Sequence, residues 1–269
     1  MAAKRRSKPK PHRAKASGTV PAEVAAPRAE APGGAGGEAD VNGKLARLEG
    51  GLAAMAEMVE RNVDTAVMAL IDRNPRFAYE VISFDIDVDE MEIETDRLCL
   101  DLLQNGRMDQ SHFRFVAAAI KINNDLERIS DQAVTISQHV LNMLKYDSTD
   151  ADGGQLFAEL LDRIEVMVRQ SVEALIDRDG RLAWQIIEED ALVDARCREI
   201  IASLTAMTEA RPHLASVMAD FLQAALALER IGDQATNIAE EVIYMAEGKV
   251  VKHHLRESHK GRLSPTRKG

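Results

Sequence analysis

The sequence predicts an all-α protein made of two tandem three-helix bundles related by an internal repeat. Three observations carry this. The block Leu126-Glu127-Arg128-Ile129-Ser130-Asp131-Gln132-Ala133 returns, with one change, as Leu228-Glu229-Arg230-Ile231-Gly232-Asp233-Gln234-Ala235. Apolar residues recur at three-to-four spacing over long stretches, the period of an amphipathic helix. Aromatics are only 4% of the 269 residues, while Ala, Leu, Met, Glu and Arg abound, which favours helix over strand.

Taken in order, residues 1–43 are Lys/Arg-rich and then Ala/Pro/Gly/Glu-rich, with too little apolar area to fold alone, and read as a disordered tail. The first repeat follows at 44–146. Its first helix is expected at about 45–72, where Leu48, Leu52, Met55, Val59, Val63, Val67 and Leu70 form one stripe. Arg73-Asn74-Pro75 ends it and starts the second helix, about 75–104, because proline suits a helix start and not the residue after a helical one. Asn105-Gly106 is a stop-and-turn signal, and the third helix should run from Asp109-Gln110-Ser111 to about Tyr146.

Residues 147–154, Asp-Ser-Thr-Asp-Ala-Asp-Gly-Gly, read as the linker. The pattern then repeats over 155–248, with helices at about 155–176, 181–207 and, opened by Arg211-Pro212, up to 247 before Gly248. Asp72-Arg73-Asn74-Pro75 matches Asp177-Arg178-Asp179-Gly180, and Val88-Asp89 matches Val193-Asp194. Short connections make neighbouring helices antiparallel. Residues 249–269 form a second basic tail.

The formal net charge of −10 conceals a division: about +5 over residues 1–44, +6 over 249–269, and −21 over 45–248. So acidic a body repels polyanions and concentrates cations, which excludes a general binder of phosphate backbones, and no specific nucleic acid is expected. The tails remain able to touch nucleic acid, anionic lipid or an acidic protein. No apolar run reaches the roughly 18–20 residues of a membrane span, and no apolar segment follows the basic N-terminus as in a secretory signal. Cys99 and Cys197 lack a CxxC spacing and read as packing thiols of a reduced, cytoplasmic protein.

Each copied block carries two acids one helical turn apart, Glu127 with Asp131 and Glu229 with Asp233. The second and fifth helices carry matching pairs, Asp85 with Asp89 and Asp190 with Asp194. Positions equally far from the turn of an antiparallel hairpin lie at the same height, so the pairs should face each other, four carboxylates to a bundle. On the third and sixth helices the acids fall roughly opposite the apolar stripes Leu126, Ile129, Ala133, Ile136, Val140 and Ile231, Ala235, Ile238, Val242, which predicts surface rather than buried acids. Like charges at one height repel, and a di- or trivalent cation removes the repulsion. An all-oxygen set suits Mg, Mn, Ca or Fe(III), with Zn also compatible. Asn124, Asp125 and Asn237 are candidate secondary ligands or capping groups.

Other residues read as structural: His112, His139 and His213 as single packing or surface histidines, Trp184 as a core aromatic, and His253, His254 and His259 as part of the basic tail. No Gly-rich phosphate loop, nucleophile elbow or Cys–His pair appears, which argues against an enzyme.

Over residues 45–252 the sequence resembles the PhoU family of phosphate-specific transport accessory proteins. The stretch from Leu228 through Thr236-Asn237-Ile238-Ala239-Glu240-Glu241-Val242-Ile243-Tyr244 to Met245 is its most specific part. The resemblance implies two three-helix bundles whose acid-x-x-x-Asp motifs hold multinuclear iron or zinc clusters on the surface. Here those motifs are Asp85/Asp89, Glu127/Asp131, Asp190/Asp194 and Glu229/Asp233. It implies a negative regulator that couples a phosphate ABC transporter ATPase to a sensor histidine kinase, with a homodimer and peripheral contact with membrane complexes expected. The first copy departs from the family pattern at Ser130, in place of Gly, and Thr135, in place of Asn, so its site is expected to differ. A metal store or metal-dependent hydrolase using the same acids, and an adaptor working through the basic tails, are the alternative function classes.

Overall fold

The computed structural model describes residues 36–105, 108–146 and 154–252. The expected tails over 1–35 and 253–269, His253, His254, His259, the Gly106 turn and most of the linker (147–153) lie outside them. Among the described residues there are six α-helices and no strand: α1 Gly36–Asp72, α2 Pro75–Asn105, α3 Gln110–Met143, α4 Ala158–Asp177, α5 Gly180–Ala210 and α6 Ala215–Glu247. Short 3-10 turns, Gly154–Phe157 and Pro212–Leu214, lead into α4 and α6.

Several boundaries shift by about three residues, and two of the differences have visible causes. Helix α1 begins at Gly36 rather than near 45, so part of the expected tail is helical. Val41 packs into the core there, and Lys44 bridges Asp40 and Asp101 at 2.8 Å each, tying this turn to α2. Helix α6 starts at Ala215, because Arg211-Pro212 opens a 3-10 turn that carries Leu214 into the core first.

The apolar stripes expected on α1, α3 and α6 are all at most 3% exposed. Both breaks between the first two helices of a repeat use one device. Arg73 (φ +47°) and Arg178 (φ +51°) sit in the left-handed conformation that ends a helix, and Asn74 N–H and Asp179 N–H then reach back to the carbonyls of Ala69 and Ala174. Asn74 and Asp179 next accept backbone N–H groups of the following helix as N-caps. Asp109 caps α3 likewise, through Ser111 and His112 N–H, and Gly248 (φ +68°) closes α6 as expected.

The repeats pack together chiefly through α3 against α6. Polar pairs run down this seam in antiparallel order: Lys121 to Glu241 (2.8 Å), Asn237 to Asp125 (3.5 Å), Arg230 to Gln132 (3.4 Å) and His139 to Asp220 (2.8 Å). The two left-handed arginines clasp it crosswise. Arg178, at the end of α4, lies 4.9 Å over the Phe115 ring of the first repeat, and Arg73, at the end of α1, lies 5.3 Å over Phe221 of the second. His139 is thus a seam residue with a carboxylate partner, whereas His112 is half-buried beside Asp109, at 3.5 Å, and His213 is exposed. Cys99 and Cys197 are free and buried, their thiols pushed up to about 12 by burial. Trp184 is only half-buried at the edge of the core, where it reaches Glu247.

Candidate metal centre

The hairpin geometry brings the predicted acids level in both repeats, but not equally close. In the second repeat, one carboxylate oxygen from each of Asp190 and Asp194 on α5 and Asp233 on α6 lies within 4.8 Å of the others. Oxygen donors sit about 2.0–2.6 Å from a hard cation, so two ligands of one ion are at most about 5 Å apart. This spacing is within shared-ion reach. Among the described residues it is the one group of three acids, histidines or cysteines gathered this closely. Glu229, one turn before Asp233, borders it. Its carboxyl is held above the usual range by burial first and then by Asp194 and Asp233.

The expectation of surface acids fails for Asp190, which is 3% exposed. It shares the inner face of α5 with Ile186, Val193 and Cys197, at helical spacing. Only the stripes of the third and sixth helices entered the expectation; on the second and fifth, Asp190 is buried, Asp85 and Asp194 are half-buried and Asp89 is exposed. Burying a carboxylate needs partners, and Thr236 supplies one by donating its hydroxyl to Asp190 Oδ1 at 3.2 Å. Asp194 takes some neutralisation from Arg198 at 3.7 Å.

In the first repeat, Asp85, Asp89, Glu127 and Asp131 feel one another without meeting that three-oxygen spacing. Asp85 is raised by burial and then by Asp89 and Asp131, against the lowering effect of a Ser130 hydrogen bond. Asp131 is raised by burial and by Asp89. Glu127 is pushed up to about 6 by burial, then by Asp131, Asp89 and Glu92. A buried relay fixes one corner: Asn62 Nδ2 donates to Ser130 Oγ at 2.8 Å, and Ser130 donates to Asp85 Oδ1 at 2.6 Å.

The candidate secondary ligands lie elsewhere. Asp125 and Asn237 face each other across the α3–α6 seam, with Asp125 raised to about 6 by burial, and Asn124 is exposed. Sequence reasoning missed Thr236 and Asn62 as supports for the acids. Thr236 stands one turn beyond Asp233, but that spacing does not point to Asp190 on α5. Asn62 shows only as a polar residue inside the apolar stripe of α1.

The donor set fits a hard or borderline cation. Three closely spaced oxygens, one withdrawn from water, concentrate negative charge where a cation would be favoured. Asp190, Asp194 and Asp233 would hold the ion, with Glu229 alongside. The described residues contain no helix long and apolar enough to cross a membrane.

The PhoU domain family model matches twice, at residues 52–140 and 157–242, once in each repeat. The phosphate-specific transport system accessory protein PhoU homolog of Pseudomonas aeruginosa is 30% identical over 212 residues, 79% of this chain and 87% of that one. The accessory protein PhoU of Serratia marcescens is 30% identical over 220 residues, 79% and 86% of the two chains. The crystal structure of PhoU from Pseudomonas aeruginosa superposes with a TM-score of 0.75 at 29% identity, covering 77% of this chain and 99% of that chain. PhoU from Streptococcus pneumoniae shares the fold at a TM-score of 0.72 and 21% identity, over 79% of this chain and 99% of that one. These relatives are named as transport accessory or regulatory proteins. With a PhoU domain in each repeat and 30% identity across most of both chains, this protein belongs to the PhoU family.

Proposed function

We propose that the chain is a cytoplasmic negative regulator of phosphate uptake and of the phosphate-starvation response, coupling a phosphate ABC transporter ATPase to a sensor histidine kinase. Family membership already gives it a role in phosphate transport regulation. The observation that supports the finer reading is a pair of acid clusters, one in each family-matched repeat. The clusters hold cations, with iron or zinc first and magnesium or manganese next in order of expectation. A homodimer belongs to the same reading, as does peripheral contact with the transporter complex.

Deletion of the gene in its source organism tests this. Phosphate uptake and phosphate-responsive gene expression should rise in phosphate-rich medium, and the intact gene should restore restraint. Unchanged expression in the deletion strain would overturn the reading. Complementation with Asp190→Asn/Asp194→Asn/Asp233→Asn should restore protein level but not full restraint.

A further inference from the structure

Helix α2 carries a face that the bundle does not use. Tyr79, Ile86, Ile93 and Leu100 stand seven residues apart and are 63%, 61%, 45% and 49% exposed. The inner face of the same helix is filled by Val81, Val88, Cys99 and Leu102. At 1.5 Å per residue the exposed line is about 32 Å long. A seven-residue repeat drifts only about 20° per heptad, so the side chains line one face of the helix as a seam, one large apolar group every two turns, with Asp89, Glu90, Asp96 and Arg97 between the later ones. No described element covers it.

The fold does not require this seam. The matching positions on α5 are Trp184, Ala191, Arg198 and Thr205. The same backbone is therefore built without a row of large apolar side chains. A row of large apolar groups in water, in one repeat only, marks an interaction surface.

The flanking charge selects the occupant. Between Tyr79 and Leu100 the one basic residue is Arg97, and the exposed side chains beside the seam include Asp87, Asp89, Glu90 and Glu94. Two copies of the chain joined along this seam would set acid against acid, in parallel or antiparallel register. An anionic lipid surface would be repelled too. A cation at the first cluster would mask Asp89 and leave Asp87, Glu90 and Glu94 facing the seam. We infer that α2 is the docking face for an amphipathic helix of another protein, with large apolar side chains at heptad spacing and Lys or Arg on its flanks. The inference stands on this face alone, independent of the phosphate reading, and a homodimer would form through another surface.

The test uses the full chain and a fluorescein-labelled synthetic 22-residue peptide with Leu at heptad a and d positions and Lys or Arg at e and g. A twin peptide carries Glu at e and g. Fluorescence anisotropy at 0.15 M salt should show saturable binding of the basic peptide. Binding should weaken at least tenfold for Ile86→Ser/Ile93→Ser and for Tyr79→Ser/Leu100→Ser, each checked for unchanged helicity by circular dichroism. The twin should also bind at least tenfold more weakly, and Leu192→Ser, which removes an exposed leucine of α5, should change nothing. The inference falls if neither peptide binds, if both double variants bind like wild type, or if the twin binds equally well. Sedimentation showing a wild-type dimer that both double variants abolish would give the face to a second copy instead.

Discussion

In the second repeat Gly232 lets α6 come close to its neighbours: an added Cβ would meet Val193 at 3.2 Å and Ile164 at 3.3 Å. In the first repeat the matching residue is Ser130, and the partner matching Ile164 is Val59, one methylene shorter. The serine's hydroxyl ties down Asp85 with Asn62 behind it. In the second repeat the residue matching Asn62 is Met167, and the supporting hydroxyl comes from Thr236, one turn further along α6. One backbone plan thus holds its acids in two ways. The second repeat gathers Asp190, Asp194 and Asp233 tightly, with Arg198 beside them. The first spreads a larger acid group that includes Glu92, whose counterpart in the second repeat is the buried Cys197. The matching acids Asp85 and Asp190 are tethered in both repeats, but by hydroxyls from different turns of the facing helix.

Targeted substitutions test that contrast. The largest effect is expected from Asp190→Asn/Asp233→Asn, which should weaken zinc or iron binding about 100-fold or more, roughly 3 kcal/mol. Glu127→Gln/Asp131→Asn should cost less, because the first set does not meet the same spacing. Isothermal titration calorimetry of metal-free protein measures both. Equal losses would erase the distinction between the repeats.

Next comes packing. Gly232→Leu should destabilise the fold by about 2–3 kcal/mol through overpacking against Val193 and Ile164. Ser130→Ala should cost about 1–3 kcal/mol, since it strands the buried Asn62 amide and removes a hydrogen bond from Asp85. Urea unfolding followed by circular dichroism reports both.

Smaller still is the crosswise clasp. Arg178→Ala should lose about 1 kcal/mol as the Phe115 contact and the 3.0 Å bridge to Glu49 disappear. Arg178→Gly should be nearly neutral, because glycine relieves the roughly 1 kcal/mol that a side chain costs in the left-handed conformation. A glycine variant as unstable as the alanine variant would contradict this.

The smallest effect is pH dependence in the metal-free protein. Glu127 is raised to about 6, so folding tightens its hold on a proton. Its contribution to stability is full below about pH 4.5 and is lost as pH rises through about 6. The urea midpoint should therefore fall more steeply across that window in wild type than in Glu127→Gln.

Much of this was legible in the sequence, and what was not has a physical reason. The stripes of α1, α3 and α6, the paired helix breaks and the level acids follow from period, turn chemistry and hairpin symmetry. The burial of Asp190 did not, because an acid among Ile186, Val193 and Cys197 breaks the apolar pattern that periodicity detects. Its support, Thr236, comes from another helix, and local spacing carries no information about such contacts. The start of α1 was misplaced for a related reason: glycine-rich composition argues for a tail, and the packing of Val41 and the bridging of Lys44 override it. Ser130 was visible as a departure, but its consequence appeared only with Asn62 behind it.

The central claim is that acids made level by adjacent antiparallel helices form a cation site, tightest in the second repeat. Crystals of protein loaded with iron or zinc, with anomalous difference maps at the matching absorption edge, address it most directly. The strongest peak should lie among Asp190, Asp194 and Asp233, at ligand distance from their carboxylate oxygens. A metal-loaded crystal with no peak there, or with its ions bound only elsewhere, would contradict the claim.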